Sequence, residues 1–483
     1  MADTFYFYDL ETTGFDPRGG RIMQFAGQRT DLQLNVIGEP INELIKLSPD
    51  ILPEPGAVMI TGITPQMTIA DGLTEAEFLK LFYKEAVKPG TIFVGFNSIR
   101  FDDEFMRFLH YRNFYDAYEW QWANGCSRWD ILDVVRAARA LRPDGIKWPF
   151  SPEGKPTNSL GYLTTLNKLS HEAAHDALSD VHATIAVAQL VRAKQPKLFD
   201  HLLSVRKKDK VREIVENGKP FMYTSGRYSS QFLHTTAAIL LGRHADRDYA
   251  LVYDLRAEPA QFLDMTVDEL IEVWKYNKDP EALRLPVKTL KYNRCPAVVP
   301  GVVQDEETLD RLQLSLDEIS TNVVKLSKAG KAFADKLFKA ADKMDVEREK
   351  AQVSLVDNEI TVDNRLYDGF IDDKDKQTMR AVRVSDPDEL AEKANDFKDV
   401  RLKSLLPLYK ARNFPKNLSD EERKHWENFC NTRLIEGGTE SRLAKYFAQI
   451  EELSSGRLSG EMRYILEELK LYGESIIPEN AAH

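Results

Sequence analysis

At 483 residues, 43% hydrophobic and 29% charged, the chain has the composition of a globular protein with room for two to four domains. No apolar run approaches the roughly 20 residues of a membrane span, so no membrane partner is expected. The formal net charge of −11 argues against indiscriminate coating of nucleic acid, while leaving room for a local basic groove. Cys126, Cys295 and Cys430 are isolated, which gives neither a disulfide framework nor a zinc site. With no basic leader ahead of the first strand, a reducing, cytoplasmic location is expected.

The first structured stretch is Phe5-Tyr6-Phe7-Tyr8-Asp9-Leu10-Glu11-Thr12-Thr13-Gly14. Its aromatic run reads as a strand and Thr-Thr-Gly as a turn. Residues two apart in a strand share a face, so Asp9 and Glu11 project together, roughly 7 Å apart along it. Two readings stay open at this point: two ordinary acids at a strand–loop junction, or half of an oxygen-ligand site for a divalent cation. Residues 21–29 and 35–47 read as further strands joined through Thr30-Asp31-Leu32-Gln33, an antiparallel meander at one side of a sheet. Ala57 to Pro65 reads as a helix end followed by a loop, where Met59 and Ile60 are either core or a wedge against a bound base.

Thr91 to Asn97 is a short buried strand. After it, Phe101, Phe105, Phe108 and Leu109 follow helical spacing, which places Asp102 in a first turn where negative charge is favoured. Residues 130–141 and 160–169 read as helices. From Asp176, a natural N-cap, a long amphipathic helix runs to about Ala193, with Asp180 inside it and His175 in the preceding loop.

Taken together, Asp9-x-Glu11, Phe101-Asp102 and His175-x4-Asp180 stand in fixed order, each at a strand end or helix start. This set resembles the DEDD 3′–5′ exonuclease superfamily, in the branch whose third motif is His-x4-Asp. The resemblance implies an α/β fold with a ribonuclease H-like mixed sheet. It also implies two Mg²⁺ ions, with Mn²⁺ able to substitute, held by Asp9, Glu11, Asp102 and Asp180, with Asp9 bridging. His175, with an ordinary pKa of about 6.5, would act as the general base. Longer strings carry a more specific likeness: Ile60-Thr61-Gly62-Ile63-Thr64-Pro65-Gln66, Arg100-Phe101-Asp102-Asp103-Glu104, Tyr111-Arg112-Asn113-Phe114-Tyr115-Asp116, Ser127-Arg128-Trp129-Asp130, Leu366-Tyr367-Asp368-Gly369-Phe370 and Tyr409 to Pro415. These are similar to the exonuclease I family of bacteria.

That resemblance implies processive 3′–5′ degradation of single-stranded DNA to 5′-mononucleotides, in DNA repair and recombination, by a monomer that clamps one strand. It divides the chain into an exonuclease domain (1–195), an SH3-like β domain (196–352) and an α-helical C-terminal domain (353–483). Short strand-like runs at 221–224, 237–241, 250–255 and 286–290 fit the second, and helices at 389–393, 440–453 and 461–471 the third, which begins near Val356 after the charged 339–349 stretch. The basic run 206–212 fits either phosphate contact or a solvated helix face.

Expected substrate contacts are Leu10, Thr12, Met59, Ile60, Phe101, Arg112, Arg128, Trp129 and Arg142, with Phe114, Tyr115 and Trp148 as further aromatic neighbours. The family also binds the acidic C-terminal tail of single-stranded-DNA-binding protein, for which Arg142 and Lys331 are the implied positions. His201, where the family often has Tyr, and a shortened loop after Arg311 are departures in that region. An RNA-trimming relative would lack the downstream regions, and a non-catalytic scaffold would be expected to lose one of the five site residues.

Overall fold

The computed structural model describes residues 3–171, 176–279, 281–359 and 362–477, without side chains at 349 and 351–359. Two compact units emerge, each built from separated stretches of chain. The first comprises the described parts of Met1–Cys126, Glu172–His182 and Ile360–His483. The second comprises Ser127–His171 and Ala183–Glu359.

In the first unit, strand β1 (Thr4–Thr12) lies between antiparallel β2 (Ile22–Thr30) and parallel β4 (Thr91–Gly95), with β3 (Val36–Leu44) outside β2. The expected meander is therefore present. Asp31 closes its β2–β3 turn by accepting from the N–H groups of Gln33 and Asn35. Tyr6, Tyr8 and Leu10 alternate into one core with Phe25, Phe78, Phe82, Phe93 and Trp120. The opposite face of β1 carries Phe5, Phe7, Asp9 and Glu11. A bulge interrupts the β1–β2 register just after Glu11, where Glu11 faces Gln24 and Thr12 faces Ile22. Met23, the extra residue, packs instead with Val58, Ile63 and helical residues Leu443, Tyr446 and Ile465. The helix Pro55–Thr61 ends at Gly62 in a left-handed turn, φ 72°, as the Thr-Gly pattern suggested.

This unit is fastened by buried charge. Asp363 accepts from Arg21 at 2.9 Å and from both terminal nitrogens of Arg412 at 2.8 Å. Arg412 also reaches Asp50 at 2.8 Å, and Arg433 lies 3.3 Å from Asp50 and 3.2 Å from Asp363. Glu75 binds Arg112 at 2.7 Å and lies 3.7 Å from Arg21. Asp50 and Asp363 are both fully buried, and the surrounding guanidinium groups hold their carboxyls well below the usual carboxylate range despite that burial.

The second unit begins with β5 (Ser127–Asp130), whose Asp130 caps the helix Ile131–Leu141. Its own antiparallel sheet has the order β10-β6-β7-β8-β9, from β6 (Phe221–Thr224), β7 (Thr235–Arg243), β8 (Tyr249–Asp254), β9 (Val287–Lys291) and β10 (Ala297–Pro300). Four of these match the expected runs; β10 is an addition. A helix from Leu316 to Glu359, broken at Gly330, packs Phe338 beside Gly242 of β7. The charged 339–349 stretch belongs to this helix, which continues through the 352–353 position. Residues 389–393 form a 3-10 turn and a single α-turn rather than a longer helix. The basic run is mainly a helix face (Lys208–Val215) on which Lys210 pairs with Glu213 and Arg212 with Asp248.

Removing one partner from a buried ion pair costs about 3–5 kcal/mol, because the other charge stays desolvated. Asp363→Ala, which strips three arginines of a shared acceptor, is expected to cost at least that much. Urea unfolding of the first unit's transition, with the surface variant Asp368→Ala as control, measures it.

Candidate active site

Parallel pairing between β1 and β4 ends at Phe7 and Val94, so Asp9 and Glu11 extend beyond the carboxyl end of β4. Open α/β sheets place their ligand sites at such strand ends. The chain leaving β4 turns through Asn97, φ 70°, and enters the helix Asp102–Arg112, with Asp103 N–H bonded to Ser98 O at 2.9 Å. Adjacent acids then separate by function. Asp103 is buried and accepts from Tyr8 Oη at 2.5 Å, which occupies it within the core. Asp102 is also buried, yet acts electrostatically on Asp9 and Glu11.

Asp180 comes from the first turn of the helix Ala177–Lys194. Asp176 caps that helix by accepting from Ser179 N–H at 3.0 Å. Gln24, opposite Glu11 across the β1–β2 pair, donates to Asp176 at 3.3 Å and accepts from Ala177 N–H at 3.4 Å. Gln24 thus ties the helix start to the strand bearing Glu11. Sequence reading passed over this residue, because only the strand register reveals it.

Asp9, Glu11 and Asp180 each offer a carboxylate oxygen within 4.8 Å of the others. Burial first, then Asp102, Asp180, Glu11 and Asp176, push Asp9 well above the ordinary carboxylate pKa. Burial, then Asp180, Asp102 and Asp176, push Glu11 up to about 8. An all-oxygen, half-buried donor set that resists ionisation suits a hard divalent cation, whose charge would relieve the repulsion. Asp176 adds to that crowding as well as capping, beyond the role its sequence position suggested. His175 lies outside the described residues.

The other expected contacts divide sharply. Leu10 points into the core, and Thr12 donates to Gly14 O at 2.8 Å. Met59 packs among the C-terminal helices, while Ile60 is exposed. Phe101 is half-buried immediately before Asp102. Arg112 is buried on Glu75, and Phe114 stacks on Phe397, so both serve packing. Tyr115 stacks on Tyr83 at 4.7 Å under Arg383. In the second unit, Trp129 is buried against Phe199 and Arg128 donates to Asn293 O. Trp148 donates to Pro143 O, Arg142 is exposed, and Lys331 is exposed just beyond the break at Gly330. Large aromatics and arginines near a motif look alike in sequence whether they face solvent or core.

Three family models match the chain: Exonuclease over residues 6–188, Exonuclease I SH3-like domain over 206–341, and Exonuclease I C-terminal domain over 360–476. Exodeoxyribonuclease I of Haemophilus influenzae is 38% identical over 445 residues, covering 90% of this chain and 92% of that protein. Escherichia coli exonuclease I, solved with a dA16 oligonucleotide, is 35% identical with a TM-score of 0.89, over 98% of this chain and 100% of that one. An SSB/exonuclease I structure with the inhibitor CFAM is 35% identical with a TM-score of 0.86, over 99% and 100%.

Glu11 is raised from 4.5 to about 8 in the fold, so its neutral form stabilises the native state. That contribution is complete below about pH 4.5 and disappears as pH rises through about 8. In chelator, the thermal unfolding midpoint is therefore expected to fall between about pH 6 and 8. Added Mg²⁺ should raise it more at pH 8 than at pH 6, and Glu11→Gln should flatten the dependence. Thermal melts at matched ionic strength measure both.

Proposed function

The chain belongs to the exonuclease I family, and on that premise we propose that it is a processive 3′–5′ exodeoxyribonuclease converting single-stranded DNA to 5′-mononucleotides. The observation that carries this reading is the convergence of Asp9, Glu11 and Asp180 within 4.8 Å at the open end of β1, with Asp102 acting on the same group. The proposed cofactors are two Mg²⁺ ions, replaceable by Mn²⁺, held by Asp9, Glu11, Asp102 and Asp180. When bound, they would supply Lewis-acid activation of water and charge stabilisation of the leaving oxygen.

The chain's own groups do the rest. Asp9 feels Asp102, Asp180, Glu11 and Asp176 together, which supports its place in the donor set. The bulge after Glu11 and the Gln24 tether fix where that set points. His175 takes the proton of the attacking water, a task suited to an imidazole near neutral pH. Ile60 and Phe101, exposed and half-exposed, offer apolar surface to the nucleotide, and Met59 is a further proposed contact beside Ile60 in the chain. The proposed domains are 1–195, 196–352 and 353–483. Arg142 and Lys331, both exposed cations, are proposed contacts for the acidic tail of single-stranded-DNA-binding protein. We assign the enzyme to DNA repair and recombination, as a cytoplasmic monomer.

Strands labelled at the 3′ or 5′ end, incubated with Mg²⁺ beside duplex and RNA controls, test the reading. Mononucleotides are expected from the 3′ end of single-stranded DNA; release from the 5′ end or preference for duplex would overturn it. His175→Ala is expected to lower turnover by about 10²–10⁴-fold with strand binding retained, and near-normal turnover would remove His175 as the base.

A further inference from the structure

The loop between Glu11 and β2 carries a large ring that none of the roles above uses. Phe15 is 75% exposed, although it lies just beyond a strand whose aromatic side chains are buried. Its ring meets Phe101 edge-on, centroids 6.4 Å apart and planes at 62°. Phe101 in turn packs on Phe105 at 5.0 Å and directly precedes Asp102. Phe15 therefore belongs to an aromatic row that starts in solvent, passes through the residue preceding Asp102 and ends in the core at Phe105.

The loop presenting it is held on every side. Glu54 N–H donates to Thr13 O at 2.7 Å, and Gly20 N–H to Asp16 O at 2.9 Å. The Asp16 side chain accepts from Arg18 N–H at 3.0 Å. Arg21, anchored on Asp363, donates to Gly19 O at 3.2 Å and Gly20 O at 3.0 Å. A Cβ at Gly20 would stand 2.6 Å from Asp16 O, so the loop closes more tightly than another residue permits. A single exposed ring is common on protein surfaces. One on a loop this thoroughly braced is different, because it binds a partner at little ordering cost.

Resting on the nuclease reading above, we propose that Phe15 is a substrate-stacking residue, its open face taking a base of the single strand near the 3′ end while Phe101 backs its edge. Stacking uses the π-face every base possesses, so it holds a strand without reading its sequence. That is what an enzyme consuming one nucleotide after another requires. The ring acts in binding and leaves the reacting phosphodiester to the carboxylates.

Steady-state kinetics of Phe15→Ala and Phe15→Trp with Mg²⁺ test the proposal. Phe15→Ala should raise KM about tenfold, equivalent to about 1.4 kcal/mol and within the range for one stacked base. Its kcat and unfolding midpoint should stay unchanged, and Phe15→Trp should restore KM. On strands whose last few 3′ nucleotides are abasic, wild type and Phe15→Ala should agree within about twofold. A KM for Phe15→Ala equal to wild type, or the same tenfold loss on abasic strands, would overturn the assignment. Anisotropy of a labelled oligothymidylate in chelator reads the ring independently of cleavage. About tenfold weaker binding by Phe15→Ala supports the stack, and equal binding rejects it even if the chain proves not to be a nuclease. Failure of wild type to degrade single strands rejects the nuclease reading alone.

Discussion

The interaction on which the first unit depends is the buried contact between Arg21 and Asp363. Neither group could be carried into the interior alone, since an unpaired buried charge costs several kcal/mol. Arg21 immediately precedes β2, and its backbone pairs with Thr13 just after the acidic end of β1. Asp363 lies beyond the whole second unit in sequence, and Arg412 and Arg433 grip it from the C-terminal helices. The loop following Glu11 is thus braced by residues that a domain division by sequence alone would assign elsewhere. Charge fixes the end of β1, and the end of β1 fixes the site.

The site itself runs on the opposite logic. Around Asp363 positive charge is abundant, and the acid ionises readily. Around Asp9, the carboxylates of Asp102, Asp180, Glu11 and Asp176 all push its pKa up, and Asp9 resists ionisation. Both arrangements store electrostatic free energy. In one case the protein supplies the counter-charge; in the other it leaves that to a ligand. Tyr8 sharpens the contrast by engaging Asp103, while Asp102 acts electrostatically on Asp9 and Glu11.

Much of this was legible from the residues, because period-two aromatics, an N-cap at Asp176 and a first-turn Asp102 are local signals. The five-strand second sheet was four-fifths visible, with β10 missed because Ala-Val-Val-Pro is too short to stand out. The helix Leu316–Glu359 escaped recognition because its charged stretch resembles a linker when its apolar face is unknown. Arg112, Phe114 and Trp129 suited a nucleic-acid surface by type but are buried, a distinction that only packing can make. Gln24 and Phe15 went unseen for the complementary reason: their importance comes from what lies across a strand pair or beyond a turn.

The long reach of Arg21 also affects when the enzyme becomes complete. Asp363 is 342 positions downstream of it. At about 5–20 residues per second of synthesis, roughly 17–70 s pass before the counter-charge exists. During that time the nascent sheet has its carboxylates but not the brace for the loop beside them. The loop beside a DNA-degrading site thus receives its brace only from the last quarter of its own chain.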